Sequence, residues 1–190
     1  MWMCGKSLLN TTVGIVGLGG IGLAIARRLQ PFNIARVLYS GTREKQFETE
    51  QDKKFFTFVK FDELLRQSDF VIISCSLNQE TKHMFNKQAF QQMKNDAILI
   101  NIARGGIVDQ QALYEALTTG EIQAAGLDVT TPEPLPTDHP LLSLDNCTIF
   151  PHIGSADIIS REGMAQLCVD NLLNYFSGKP LARQLDLDTA

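Results

Sequence analysis

A short apolar run, Thr12–Val16, leads straight into Gly17-Leu18-Gly19-Gly20-Ile21-Gly22, after which Ile21, Ile25 and Leu29 recur at helical spacing until Pro31. A strand, a glycine turn and a helix in that order open a βαβ unit. Ala24 and Ala26 keep the helix slim enough to lie against the strand. Gly17 permits the tight turn, Gly19 lets the backbone approach a pyrophosphate, and Gly22 lets the helix press on the strand. The free N–H groups at the helix N-terminus then face the phosphates. Such a motif alone is weak, and a glycine-rich structural turn would look the same. Its place between a strand and a helix is the context that makes it a dinucleotide loop.

The rest of the chain keeps alternating. Strands are predicted at Arg36–Ser40, 70–75, 97–101, Ala124–Leu127 and 148–150. Helices are predicted from Asp62-Glu63-Leu64-Leu65, at 86–93, at Gln110–Thr119 between an Asp109 cap and Gly120, and at 160–177 before Gly178. This is the pattern of an α/β fold with a doubly wound parallel sheet, a Rossmann dinucleotide-binding domain. Residues 1–190 are read as a single such domain, of ordinary size for its length. No internal repeat is visible. Residues 131–140 hold four of the seven prolines, which makes them a shaped loop rather than a linker.

Composition narrows the partners. With 44% hydrophobic and 20% charged residues the chain reads as globular, and a net charge of −4 gives no reason to expect nucleic acid. No apolar run reaches the roughly 18 residues of a membrane span. The opening Met1-Trp2-Met3-Cys4-Gly5 lacks the features of a signal peptide, so a cytoplasmic location is expected. Cys4, Cys75, Cys147 and Cys168 show no CxxC spacing and read as reduced thiols, with no metal site.

Three residues carry chemistry. Arg104, in Asn101-Ile102-Ala103-Arg104-Gly105-Gly106, can hold a carboxylate through two parallel hydrogen bonds. His152, in Pro151-His152-Ile153-Gly154, can pass a proton to or from a carbonyl oxygen near neutral pH. Glu133, in Thr131-Pro132-Glu133-Pro134, can orient such a histidine and stabilise its charge. Each block falls where a strand ends and a loop begins, the edge at which open parallel sheets bind ligands. Plainer readings exist: Arg104 in a surface ion pair, Glu133 solvated beside prolines, His152 an ordinary loop histidine. His83 and His139 are read as structural or solvent-facing.

The second strand bears on the cofactor. NAD-binding folds commonly place an acid about 20 residues after the glycine loop, on the ribose 2′-OH. Here that stretch reads Tyr39-Ser40-Gly41-Thr42-Arg43-Glu44-Lys45. Ser40 replaces the acid, and Arg43 and Lys45 add cations that suit a 2′-phosphate. NADP(H) is therefore preferred, with NAD(H) left open because Glu44 dilutes the cluster.

Taken together, the glycine loop, Ile100-Asn101-Ile102-Ala103-Arg104-Gly105-Gly106, Ala125-Gly126-Leu127-Asp128-Val129, Pro132-Glu133-Pro134 and Pro151-His152-Ile153-Gly154-Ser155 resemble the D-isomer-specific 2-hydroxyacid dehydrogenases, in that family's order. Further stretches, Leu38-Tyr39-Ser40-Gly41, residues 134–142 and the opening Trp2-Met3-Cys4-Gly5, are similar to its branch that reduces glyoxylate and hydroxypyruvate with NADPH. The resemblance implies a small 2-keto or 2-hydroxy acid substrate, with Arg104, Glu133 and His152 as the catalytic set. It also implies that Gly19, Gly20 and Ile21 line the pyrophosphate and that residues 42–45, Thr42, Arg43 and Lys45 among them, meet the 2′-phosphate. Asp128 would lie by the nicotinamide carboxamide (a plain strand-end turn is the alternative), and Ser76, Ile102 and Gly154 would be further cofactor contacts. Gly20 departs from the arginine that related enzymes often carry.

A homodimer is implied by resemblance. So is a substrate domain, formed from a segment before the cofactor domain and the returning C-terminal end. That domain is largely missing here, and the tail from about residue 171 would pack on it. The expectation is a truncated form with reduced or no activity. A non-catalytic nucleotide sensor, like the related corepressors, is the second reading. A methyltransferase would leave Arg104, Glu133 and His152 unexplained.

Overall fold

Alternation along the strands decides which face each side chain takes. The structure, a computed structural model, describes residues 5–184. Cys4, the residues before it, and the end of the expected tail at 185–190 lie outside the described residues. Contacts divide the chain into two units, Met1–Pro151 and His152–Ala190.

The first unit runs β1 (Thr12–Val16), α1 (Gly20–Leu29), β2 (Arg36–Ser40), α2 (Glu50–Phe55), β3 (Phe56–Phe58), α3 (Phe61–Gln67), β4 (Phe70–Ile73), α4 (Lys87–Gln92), β5 (Ile98–Asn101), α5 (Gln110–Thr119), β6 (Ala124–Leu127) and β7 (Cys147–Ile149). The strands form one seven-stranded sheet in the order β3-β2-β1-β4-β5-β6-β7, parallel throughout. Val13, Ile15, Val37, Tyr39, Phe70 and Ile72 pack on one face with Ala26, Leu23 and Leu29 of α1. Their neighbours Val16, Leu38, Val71, Ile73 and Leu99 pack on the other with Leu64, Leu65, Phe90 and Leu113 from α3, α4 and α5. A sheet covered on both faces explains why these strands read as nearly continuous apolar runs.

The doubly wound parallel sheet is as the sequence predicts, with α5 capped by Asp109 and stopped by Gly120 at φ +74. The sequence reading lacked α2 and β3. Thr49, whose hydroxyl accepts from the Asp52 N–H at 3.1 Å, starts that helix. The predicted strand 70–75 ends at Ile73: the Ser74 N–H makes one last ladder bond to the Val16 carbonyl at 2.9 Å, and its hydroxyl donates to the Gly17 carbonyl at 2.6 Å.

At the opposite edge of the sheet Asp69 ties the start together. Its carboxylate accepts from the Thr12 N–H at 2.8 Å and from Lys6 and Lys94 at 3.2 and 3.0 Å. Lys6 also reaches Asp96 at 2.9 Å. Burial raises the Asp69 pKa, but the Thr12 amide and the two ammonium groups outweigh it and hold the carboxyl below its ordinary value.

In the second unit α6 (Ile158–Phe176) begins at Asp157, which accepts from the Ser160 N–H at 2.9 Å. None of its residues is buried. Asn171, where the tail is expected to start, lies inside α6, and its side chain bonds the Arg183 backbone at 2.9 and 3.1 Å. Among the described residues no helix is long and apolar enough to cross a membrane.

Candidate functional site

Strand register aligns the candidate residues of the first unit. Ser40 pairs with Val16, Val16 with Ile73, Ile73 with Asn101, Asn101 with Leu127, and Leu127 with Ile149. The last residues of six strands thus stand in one row. Gly17, Ile102 and Asp128 come one residue beyond it, Ser76 and Arg104 three, and Glu133 six. The ladder continues one step past the row: Gly17 N–H to Ser40 O at 2.9 Å, Ile102 N–H to Ile73 O at 3.4 Å, and Asp128 N–H to Asn101 O at 2.9 Å. Between β1 and β4 the winding of the chain reverses, which opens the crevice where such sheets take ligands.

The glycine loop fits a dinucleotide. Gly17 sits at φ +91, and a Cβ there would come within 2.6 Å of the Cys75 backbone. At Gly22 a Cβ would come within 2.5 Å of the Gly17 carbonyl and 2.8 Å of the Ser74 hydroxyl, so α1 can press on β1 only without one. Gly19 and Gly20 differ: a Cβ at either would point into open space, which side chains there would fill. Gly19 begins α1 with no side-chain cap, and no acid stands in the first turn. Thr49, Asn86 and Asp109 cap α2, α4 and α5 instead. The amides at the start of α1 and the positive end of its dipole suit a phosphate group. Ile21, in that first turn, is exposed.

Beyond β2 the backbone is held from beneath. Ser40 is buried, and the buried Tyr39 hydroxyl accepts from the Lys45 N–H at 3.0 Å. Burial raises the Tyr39 pKa against the lowering effect of that bond, and Glu44 adds to the rise, so the hydroxyl stays neutral. Thr42, Arg43 and Lys45 are exposed. Arg43 and Lys45 line a cleft of about 780 Å³ together with Arg27 of α1, and Glu44, Glu48 and Asp52 share its wall.

Arg104 is exposed, with Nη1 donating to the Ala103 carbonyl at 2.6 Å. The buried Asn101 side chain shapes its loop: Nδ2 donates to the Arg104 carbonyl at 2.9 Å and Oδ1 accepts from the Ala103 N–H at 3.1 Å. Next to it Gly105 lies so close to Thr130 that a Cβ would collide with the Thr130 carbonyl and reach the Thr131 hydroxyl at 2.6 Å. That contact brings the Arg104 loop against the segment leading to Glu133, which is itself exposed. Ile102 is partly buried against the α1 face of the sheet, and Ser76 is exposed, its carbonyl accepting from the Thr81 hydroxyl at 2.7 Å. His152, at φ +55, and Gly154 belong to the second unit, and both are exposed.

Two residues escaped the sequence reading. Asn101 ends an apolar strand, and an amide at such a place was a signal that could have been weighed. Gln110 gives no such sign, since its partner lies 21 residues away at Thr131.

Comparison with known proteins agrees with this geometry. Residues 1–154 match the family described as D-isomer specific 2-hydroxyacid dehydrogenase, NAD binding domain. The chain is 51% identical over 187 residues to the human glyoxylate reductase/hydroxypyruvate reductase, covering 98% of this chain and 56% of that protein. The crystal structure of the TT0316 protein from Thermus thermophilus superposes with a TM-score of 0.87 at 41% identity, covering 97% of this chain and 57% of that one. A D-lactate dehydrogenase with NAD+ from Lactobacillus jensenii gives a TM-score of 0.83 at 30% identity, covering 95% and 57%. The chain thus spans somewhat more than half the length of these relatives.

Proposed function

The chain belongs to the D-isomer specific 2-hydroxyacid dehydrogenase family, and on that premise we propose that it is the cofactor-binding part of an NADPH-dependent reductase of glyoxylate and hydroxypyruvate. The products would be glycolate and D-glycerate. The observation that carries this reading is the row of strand ends, which gathers the glycine loop, Ser40 and Arg104 at one edge of the sheet.

The nicotinamide, when bound, supplies a hydride to C2 of the keto acid. Arg104 holds the substrate carboxylate and draws electron density from the carbonyl. His152 gives its proton to the carbonyl oxygen in reduction and takes one back in oxidation, with Glu133 as its charged partner. The amides of Gly19, Gly20 and Ile21 receive the pyrophosphate. Ser40, Thr42, Arg43 and Lys45 receive the 2′-phosphate, and the absence of an acid at Ser40 favours NADPH over NADH. Asp128, Ser76, Ile102 and Gly154 complete the cofactor contacts, and a homodimer in the cytoplasm belongs to the same proposal.

Fluorescence titration with NADPH and with NADH, followed by absorbance loss on adding hydroxypyruvate, tests this directly. NADPH should bind more tightly, Ser40→Asp should reverse that preference, and turnover should fall below that of a full-length relative. His152→Ala should lower it by a further factor of about 10²–10⁴. Tighter NADH binding would overturn the cofactor assignment. Binding with no oxidation would replace the reductase by a nucleotide sensor.

A further inference from the structure

The loop that carries Glu133 has few backbone donors. Pro132, Pro134 and Pro136 have no N–H to give, so side chains from outside the loop add to what sets its position. Gln110, in the first turn of α5, spans the peptide units at the loop's entrance. Its Oε1 accepts from the Thr131 N–H at 2.6 Å, and its Nε2 donates to the Thr131 carbonyl at 2.7 Å. The same Nε2 lies 3.5 Å from His139 Nε2 at the loop's exit, a packing contact and not a hydrogen bond, because His139 Nδ1 accepts from the Leu141 N–H and leaves Nε2 as the protonated nitrogen. A primary amide is suited to this task, because it offers one acceptor and one donor in a fixed plane. From below, Gly105 presses on Thr130, and the Thr130 hydroxyl donates to the Pro132 carbonyl at 2.9 Å. The loop's entrance is thus held by one side chain, two residues from Glu133.

We propose that Gln110 is a positioning residue that fixes where the Glu133 carboxylate stands, by clamping the Thr131 backbone at the entrance of the loop. The inference rests on the proposed role of Glu133 in the reductase. The role assigned to Gln110 lies in the Thr131 backbone, and contact with substrate or cofactor is no part of it. Its substitution should therefore leave NADPH affinity unchanged while lowering kcat.

The test uses the 190-residue chain with Gln110→Ala, Gln110→Glu, Glu133→Gln and the Gln110→Ala/Glu133→Gln pair. Gln110→Ala should lower kcat about tenfold, and Gln110→Glu, which keeps the acceptor for Thr131 but loses the donor, should fall between. In the Glu133→Gln background Gln110→Ala should cost nothing more, because the group it positions has gone. A merely structural role would lower kcat equally in both backgrounds, and that result would overturn the proposal. Amide exchange at Thr131 decides the matter independently of turnover. It should quicken at least tenfold in Gln110→Ala and stay slow in Gln110→Glu, and unchanged exchange in Gln110→Ala would also overturn the proposal. Absent turnover in the unaltered chain counts against the reductase reading alone, since the Thr131 measurement still reports on the clamp.

Discussion

Phe90 and Phe176 are the same side chain in opposite circumstances. Phe90 on α4 is fully enclosed between α3, α5 and the sheet, whereas Phe176 at the end of α6 is 81% exposed. The contrast runs through both units. In the first, strands and helices share two dry clusters; in the second, Ile158, Ile159, Leu172, Leu173 and Tyr175 also face outward. Apolar content therefore does not distinguish the two regions. What differs is the second layer: each apolar face of the first unit meets one inside that unit, which is the condition for a core, and α6 meets none among the described residues of its own unit.

The largest expected effect compares those two phenylalanines. Phe90→Ala should cost about 3–5 kcal/mol in urea unfolding through the cavity it leaves, and Phe176→Ala no more than about 0.5 kcal/mol. An equal cost would break the comparison and mean that α6 is covered in solution.

Thiol labelling sharpens the contrast. Burial pushes the Cys147 thiol up to about 11 from its ordinary 9.0, so its reactive thiolate near pH 8 is about a hundredfold scarcer than that of an ordinary thiol. Burial also raises the Cys75 thiol, whereas Cys168 on α6 is exposed. Among the three described cysteines, alkylation followed by peptide mapping should find Cys168 modified first and Cys147 last. Simultaneous labelling would mean that the first unit opens as readily as the second.

Acid separates the regions more gently. Asp69 and Asp157 are both held below the ordinary carboxylate range, Asp69 because its amide and lysine partners outweigh burial, Asp157 through the Ser160 hydroxyl and amide. A lowered carboxyl contributes stability that is fully present above about pH 4 and is lost as pH falls through the lowered value. Asp69→Asn should cost about 1–2 kcal/mol at neutral pH and flatten the acid limb of the first unit, leaving the fraying of α6 unchanged. An acid limb as steep as before would show that other carboxylates govern it.

Most of the fold was legible because its signals are local. Asp109 and Gly120 mark α5 by capping and a left-handed stop, and the glycine loop declares itself through spacing between a strand and a helix. β3 was missed because three residues, Phe56–Phe58, are too few to show a period. The predicted strand 70–75 runs two residues past Ile73 because Ser74 and Cys75 are small and carry no turn signal, and only their approach to Gly17 shows why the strand stops. The candidate site divides the same way. Arg104 and Glu133 stand out by residue type beside glycine and proline. Asn101 shapes the Arg104 loop through a partner three residues on, and its amide at the end of an apolar strand is a local mark, whereas Gln110 acts on Thr131 far along the chain, and such distant pairing leaves no mark in one sequence.

Both outer strands of the sheet, β3 and β7, are only three residues long. A parallel sheet of this order must end somewhere, and each end offers unpaired amides to any extended peptide that drifts by. Short rims leave little template for such a peptide to extend. Lys53, Lys54 and Lys60 flank Phe55, Phe56 and Phe58, placing like charges on either side of this aromatic stretch. Short outer strands, with lysines beside β3, thus oppose the addition of another chain at either rim.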